Sequence, residues 1–151
     1  MYLFGHAAVG MTIAAGTGNP ALAFGIGWLS HYLADFFPHG DEALGAWVKR
    51  GNEVKRLLVV LVPDATLVLT AFAWYTAHRG FSLAAAAAAA GSAVPDVLWG
   101  LEKVFKRKIF GPHEAFHGRN HNFFHMRMPF ALGLAVQGAI AGALWGWLTW
   151  G

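Results

Sequence analysis

The stretch LLVVLVPDATLVLTAFAWYTA, residues 57–77, decides the fold. It holds 21 residues and one charged side chain, Asp64. A helix needs about 20 apolar residues to cross the hydrocarbon core of a bilayer, so this stretch is long enough to span. Residues 20–38, 82–101 and 129–150 match it, with 19, 20 and 22 residues. A fifth apolar stretch, residues 2–15, has only 14 and reads as a short or half-crossing helix. The turn Gly16-Thr17-Gly18-Asn19-Pro20 joins it to the next, with proline placed at a helix start. The N-terminus has no basic region ahead of its apolar residues and is not expected to be a signal peptide.

Composition agrees with spans. Of 151 residues, 56% are hydrophobic and 13% charged, and mean hydropathy is +0.44. A soluble domain is roughly a quarter charged, so a water-soluble bundle with an Ala-rich buried helix is the weaker alternative. A disordered chain, which needs low hydrophobicity, is excluded. The absence of cysteine excludes disulfides, thiolate metal sites and cysteine nucleophiles. The expected fold is one all-α domain, residues 1–151. It is an integral membrane bundle of four to five helices, the first short, with a His-rich segment between the last two spans. The alanine run at 83–90 suits close helix packing, and Gly133, Gly138, Gly142 and Gly146 are expected to act similarly. Trp145, Trp147 and Trp150 are placed for an aromatic belt.

Charge placement gives an orientation. Residues 39–56 and 102–128 carry Lys49, Arg50, Lys55, Arg56, Lys103, Lys106, Arg107, Lys108, Arg119 and Arg127, whereas the link 78–81 carries Arg79 alone. With alternating spans the two basic segments share a side, ten basic residues against one. The positive-inside rule makes that side cytoplasmic. It therefore holds the N-terminus and the His-rich segment, in a plasma membrane of bacterial or archaeal type.

Acids and imidazoles inside apolar stretches are costly, about 2.5–3.5 kcal/mol for a central Asp. They persist when paired, metal-bound or hydrated. Here they are His6, His31, Asp35, Asp64 and Asp96, with Glu102 just past the fourth stretch. Helical rise puts the first five within about 12 Å of the cytoplasmic ends, which reads as one site. His31 and Asp35 are four apart and share a helix face, a spacing that suits a divalent metal or a plain His–Asp hydrogen bond. Val62-Pro63-Asp64 and Val94-Pro95-Asp96 form an internal echo, each acid beside a proline that breaks a helix hydrogen bond. His113, His117, His121 and His125 recur every four residues and would line one stripe of a helix, although Gly118 argues for a bend. His39, Asp41 and Glu42 read as a helix exit and turn.

These residues carry a resemblance. The string Gly27-Trp28-Leu29-Ser30-His31-Tyr32-Leu33-Ala34-Asp35 resembles the His-x-x-x-Asp helix of the membrane-bound metal-dependent hydrolases, a bacterial inner-membrane family distantly similar to zinc-dependent phospholipase C. His6 in its Ala/Gly-rich helix, Gly91-Ser92-Ala93-Val94-Pro95-Asp96 and the segment 117–125 are similar to further motifs of that family. The resemblance implies metal-assisted hydrolysis.

The expected metal ligands are His6, His31, Asp35, Asp64, Asp96, His117 and His121. Their ion would be zinc first, with manganese or iron as alternatives. Glu114 and His125 are the expected proton-relaying catalytic groups, and Arg119 the substrate-binding one. The expected partner is membrane lipid, with an anionic lipid phosphoester as substrate; no nucleic-acid module is present. Three rivals stay open: a metal-ion or proton transporter, a haem protein with two axial His, and a non-catalytic protein with a structural His/Asp site.

Overall fold

Helix starts fall where the sequence supplies caps. Asn19 Oδ1 accepts from the amides of Ala21 and Leu22 at 3.0 and 3.2 Å, with Pro20 at the first helical position. Asn52 accepts from Lys55 N and Ser82 from Ala85 N. Each cap satisfies amides that a helix start would otherwise leave unpaired. The computed structural model describes every residue except 38, 41, 122 and 124–127, and the backbone alone at 42 and 43. The described residues form seven helices: α1 (Leu3–Ile13), α2 (Pro20–Asp35), α3 (Glu42–Lys49), α4 (Glu53–Arg79), α5 (Leu83–Phe105), α6 (His113–His121) and α7 (Phe130–Trp150).

Three of these, α4, α5 and α7, are long and apolar enough to cross a membrane. The stretches at 2–15 and 20–38 are not. With 11 and 16 helical residues, α1 and α2 extend about 17 and 24 Å at 1.5 Å per residue, short of a core about 30 Å thick. The second stretch fails as a span because α2 stops at Asp35, where the chain turns back. Two short helices, α3 and α6, occupy the basic segments, and α6 continues through Gly118 without a break. Prolines 63 and 95 lie inside α4 and α5, which also run on past them.

Short as they are, α1 and α2 form the centre of the bundle, packed on each other and on α5. Glycine permits the closeness. A Cβ on Gly27 would collide with the backbone of Ala88, and a Cβ on Gly91 with the backbone of Phe24. The alanine run supplies the rest of this contact, with Ala84 and Ala88 buried. In α7 only Gly133 has such a role, against the backbone of His39. A Cβ on Gly138 or Gly142 would meet nothing, and one on Gly146 only the Trp150 ring. Trp145 likewise leaves the expected belt: it is buried, stacks on Phe4 and donates to the Phe4 carbonyl. Trp147 and Trp150 remain exposed.

The helices alternate in direction. The α1–α2 turn, the α4–α5 link and the end of α7 share one end, around a cavity of about 290 Å³ lined by Thr17, Tyr75, Arg79 and Trp147 among others. The start of α1 and the end of α2 meet at the opposite, basic end. On α4, Leu58, Val59, Val62, Leu67 and Leu69 are exposed, a surface suited to lipid.

Gly27→Leu and Gly91→Leu should each lower the thermal unfolding midpoint in detergent, since overpacking costs roughly 1–3 kcal/mol. Gly142→Leu, facing open space, should leave it unchanged. Circular dichroism melts check all three.

Candidate metal centre

Four helices and one turn deliver the polar side chains. His6 comes from α1, His31 and Asp35 from α2, Asp96 from α5, and His117 and His121 from α6; His39 comes from the turn after α2. Local devices position α1, the turn and α6. Asp64 holds the start of α1: its Oδ2 accepts from Leu3 N at 2.7 Å and its Oδ1 from Phe4 N at 3.0 Å. Buried Gln137 donates to the His39 carbonyl at 2.6 Å and accepts from Tyr2 N at 2.9 Å, tying α7 to both the turn and α1. Gly40, at φ +76°, makes the turn and lies against Gly133. Asn120 donates to the Tyr32 carbonyl at 2.9 Å, and Lys103 pairs with Glu114, so α6 is fastened over α2 and α5.

Asp35 is the hub and is fully buried. Its Oδ1 lies 3.2 Å from His6 Nε2 and 3.8 Å from His39 Nε2. Its Oδ2 lies 3.0, 2.9 and 3.5 Å from Nε2 of His31, His121 and His117. Asp96 faces the same space, with Oδ1 3.9 Å from His31 Nε2 and 3.5 Å from His117 Nε2, and Oδ2 3.9 Å from His6 Nε2. The rings of His6 and His31 stack at 3.9 Å, those of His117 and His121 at 4.7 Å. The amine of Met1 donates to Asp35 Oδ1 and to His39 Nε2, each at 2.6 Å.

Close approach here is not the same as hydrogen bonding. Among the described residues, both nitrogens of His6, Nε2 of His31, Oδ2 of Asp35 and Nδ1 of His117 are buried without a hydrogen-bond partner. Each such group costs about 1–3 kcal/mol. His31 Nδ1 is 2.8 Å from the Ser92 carbonyl. A carbonyl can only accept, so Nδ1 carries a proton and Nε2 is turned toward the acids. His39 Nδ1 is fixed in the same way by the Phe37 carbonyl at 2.6 Å. A His whose other nitrogen is held by an acceptor is oriented as metal-ligating His are. Imidazole nitrogens and carboxylates converging on one space suit a cation. Among the described residues four groups could hold a metal ion, each with ligand atoms within 4.8 Å of one another. They are His6, His31 and Asp96; His31, Asp35 and His117; Asp35, His39 and His121; and Asp96, His117 and His121.

Six of the seven expected ligands come together: His6, His31, Asp35, Asp96, His117 and His121. Asp64 does not join them, because both its oxygens are taken by the amides at the start of α1. Glu114 points to Lys103, whose ammonium holds its carboxyl below the ordinary value. Arg119 is exposed on α6. His125, with Asp41 and Arg127, lies outside the described residues. His113 continues the α6 stripe, its ring 5.6 Å from that of His117, and burial pushes its imidazole down from its ordinary value. The residue that sequence reasoning missed is His39. It is four residues past Asp35, but α2 has ended, so helical spacing gave no reason to place it; the adjacent Gly40 was the available signal.

The chain matches no protein-family model, no curated protein and no solved structure. No family is identified, and the resemblance described above is carried by its short motifs alone. What stands is a helical chain with three apolar helices of spanning length and buried His/Asp clusters that could hold a metal.

Asp35→Ala and Asp64→Ala should separate ligand from cap. Asp64→Ala should lower stability by about 0.5–2 kcal/mol, the usual cost of a lost helix cap, and should leave the capacity of the His/Asp groups to take up added zinc unchanged. Asp35→Ala should lower the uptake of added zinc relative to the unaltered chain. Elemental analysis beside thermal unfolding checks both.

Proposed function

We propose that the cluster is a two-ion divalent-metal centre of a membrane-embedded phosphoester hydrolase. One observation carries the reading. The groups His6–His31–Asp96 and Asp35–His39–His121 share no residue, so seven ligand-type side chains, counting His117, exceed what a single four-coordinate ion needs. Asp35 spans the two groups, with Oδ1 near His6 and Oδ2 near His121. Imidazole and carboxylate donors without sulfur suit zinc, and manganese or iron on the same chemistry.

Divalent ions in such a centre supply Lewis acidity toward a phosphoryl oxygen and toward an attacking water. The protein's own groups supply the rest. His117 lies 3.5 Å from both Asp35 Oδ2 and Asp96 Oδ1, placed to take a proton and pass it along the stripe to His113. Arg119, exposed on α6 beside the membrane end of the bundle, would attract an anionic headgroup; a basic residue near an anionic surface is worth about 1 kcal/mol. The depth of the cluster suits a lipid or prenyl phosphate whose tail stays in the bilayer. The excess of basic residues at this end supports a cytoplasmic site. Backbone contact of α2 with α5 at Gly27 and Gly91 supports a pocket open on one side rather than a transport path.

Metal-free protein reloaded with zinc or manganese should retain about two ions per chain, as in two-metal hydrolases. His121→Ala should reduce that toward one. Phosphate release from phosphatidic acid or a prenyl phosphate should require the metal. Asp35→Asn should reduce it by more than the roughly 10–100-fold that outer partners of a metal site cost. Metal retention without turnover on any such lipid would leave only a binding role.

A further inference from the structure

A second polar site lies apart from the His/Asp cluster, where α4 begins and α5 ends. It is a cavity of about 220 Å³ whose walls include the acids Glu53, Glu102 and Glu114 and the bases Lys106, Arg107 and Lys108. Glu102, in the last turn of α5, is only 4% exposed. Its Oε1 accepts from Phe110 N at 2.8 Å, but its Oε2, also buried, has no hydrogen-bond partner among the described residues. The bases around it do not answer that need. Lys103 is committed to Glu114. Lys106 is four residues on, but it leaves the helix with φ +52°, and neither it nor Arg107 nor Lys108 makes an ion pair among the described residues. Glu102 instead shapes the basic turn itself: its carbonyl accepts from Arg107 N at 3.2 Å while its side chain holds Phe110 N.

The cavity therefore sets the unpartnered Glu102 Oε2 and the carboxylate of Glu53 beside Lys106, Arg107 and Lys108, which make no ion pair among the described residues. The matching ligand carries an N–H-bearing cation a short link away from an anion. Because α4 and α5 are of spanning length, the cavity lies where they leave the apolar layer, at headgroup level. We infer that it binds a phosphoethanolamine headgroup, with the ammonium on Glu102 Oε2 and the phosphate among Lys106, Arg107 and Lys108. A choline headgroup has no N–H to give to Oε2, and a glycerol headgroup has no cation. Phosphate alone would face the buried carboxylate. The inference does not rest on the metal reading, since none of these residues belongs to that cluster.

Native mass spectrometry of the full chain in detergent tests it. The panel is phosphatidylethanolamine, phosphatidylcholine and phosphatidylglycerol with identical acyl chains. Phosphatidylethanolamine should be retained about tenfold better than phosphatidylcholine, as one hydrogen bond to a charged group allows. Glu102→Gln keeps an acceptor for Phe110 N but loses the charge, and it should bring the two lipids to near parity. Joint replacement of Lys106, Arg107 and Lys108 by Ala should weaken all three lipids. Glycerophosphoethanolamine, which has no tails, separates the sources: if it displaces the bound lipid, the headgroup suffices, and if it does not while the lipid preference holds, the ligand is the lipid itself. Equal retention of phosphatidylethanolamine and phosphatidylcholine by the unaltered chain would overturn the inference. So would a Glu102→Gln protein that keeps the preference. Should Glu102→Gln fail to fold, the lipid panel on the unaltered chain still decides.

Discussion

A carboxylate fully buried among apolar helices is the constraint on which this structure turns. Isolated, an ionised Asp in a low-dielectric interior is costly enough that it would give up its charge or leave. Asp35 does neither, and four imidazole nitrogens lie within 3.5 Å of its two oxygens. Those imidazoles are themselves short of hydrogen-bond partners. The Met1 ammonium answers one oxygen of Asp35, while Asp96 and the imidazole nitrogens around the same space form a donor set that suits a divalent cation as well. The polar groups are thus costly singly and coherent as a set.

Much of the remaining sequence serves to hold that set. Asp64 and Gln137 are polar groups within the span-length helices α4 and α7, yet their atoms bond the start of α1 and the turn that bears His39. They fix two helices that are too short to span and would otherwise drift. The glycine contact between α2 and α5 brings His31 within reach of the Ser92 carbonyl, which orients its ring and fixes a proton on Nδ1. Fastening α6 through Asn120 and Glu114 carries His117 and His121 over the acids. Small residues, caps and buried amides thus determine ligand geometry without any of them being a ligand.

The apolar length of α4, α5 and α7 was readable from residue type alone, because crossing a bilayer imposes a minimum run. The common depth of His6, His31, Asp35 and Asp96 was readable too, because helical rise is fixed. What the chain did not disclose was direction within that depth. Asp64 and Asp96 share the same Val-Pro-Asp setting, and only packing makes one a cap and the other a cluster member. Residues 20–38 were long enough to span, but the helix stops at Asp35 so that His39 can return, a tertiary requirement invisible to a hydropathy count. Trp145 resembled its neighbours Trp147 and Trp150 in sequence and differs from them only through Phe4.

The centre and the cavity at the end of α5 lie at the same end of the bundle, one lined by imidazoles and acids, the other by lysines and an arginine interleaved with glutamates. Such a division would let one surface hold a lipid while another acts on a phosphoester. Everything in that picture depends on the cluster gripping an ion. Anomalous scattering from crystals grown with zinc or manganese tests this most directly. The account predicts peaks within coordination distance of Asp35, flanked by nitrogens of His6 or His31 on one side and His121 on the other. Crystals whose anomalous signal falls only on surface residues, with Asp35 and its imidazoles bonded solely to one another, would contradict it.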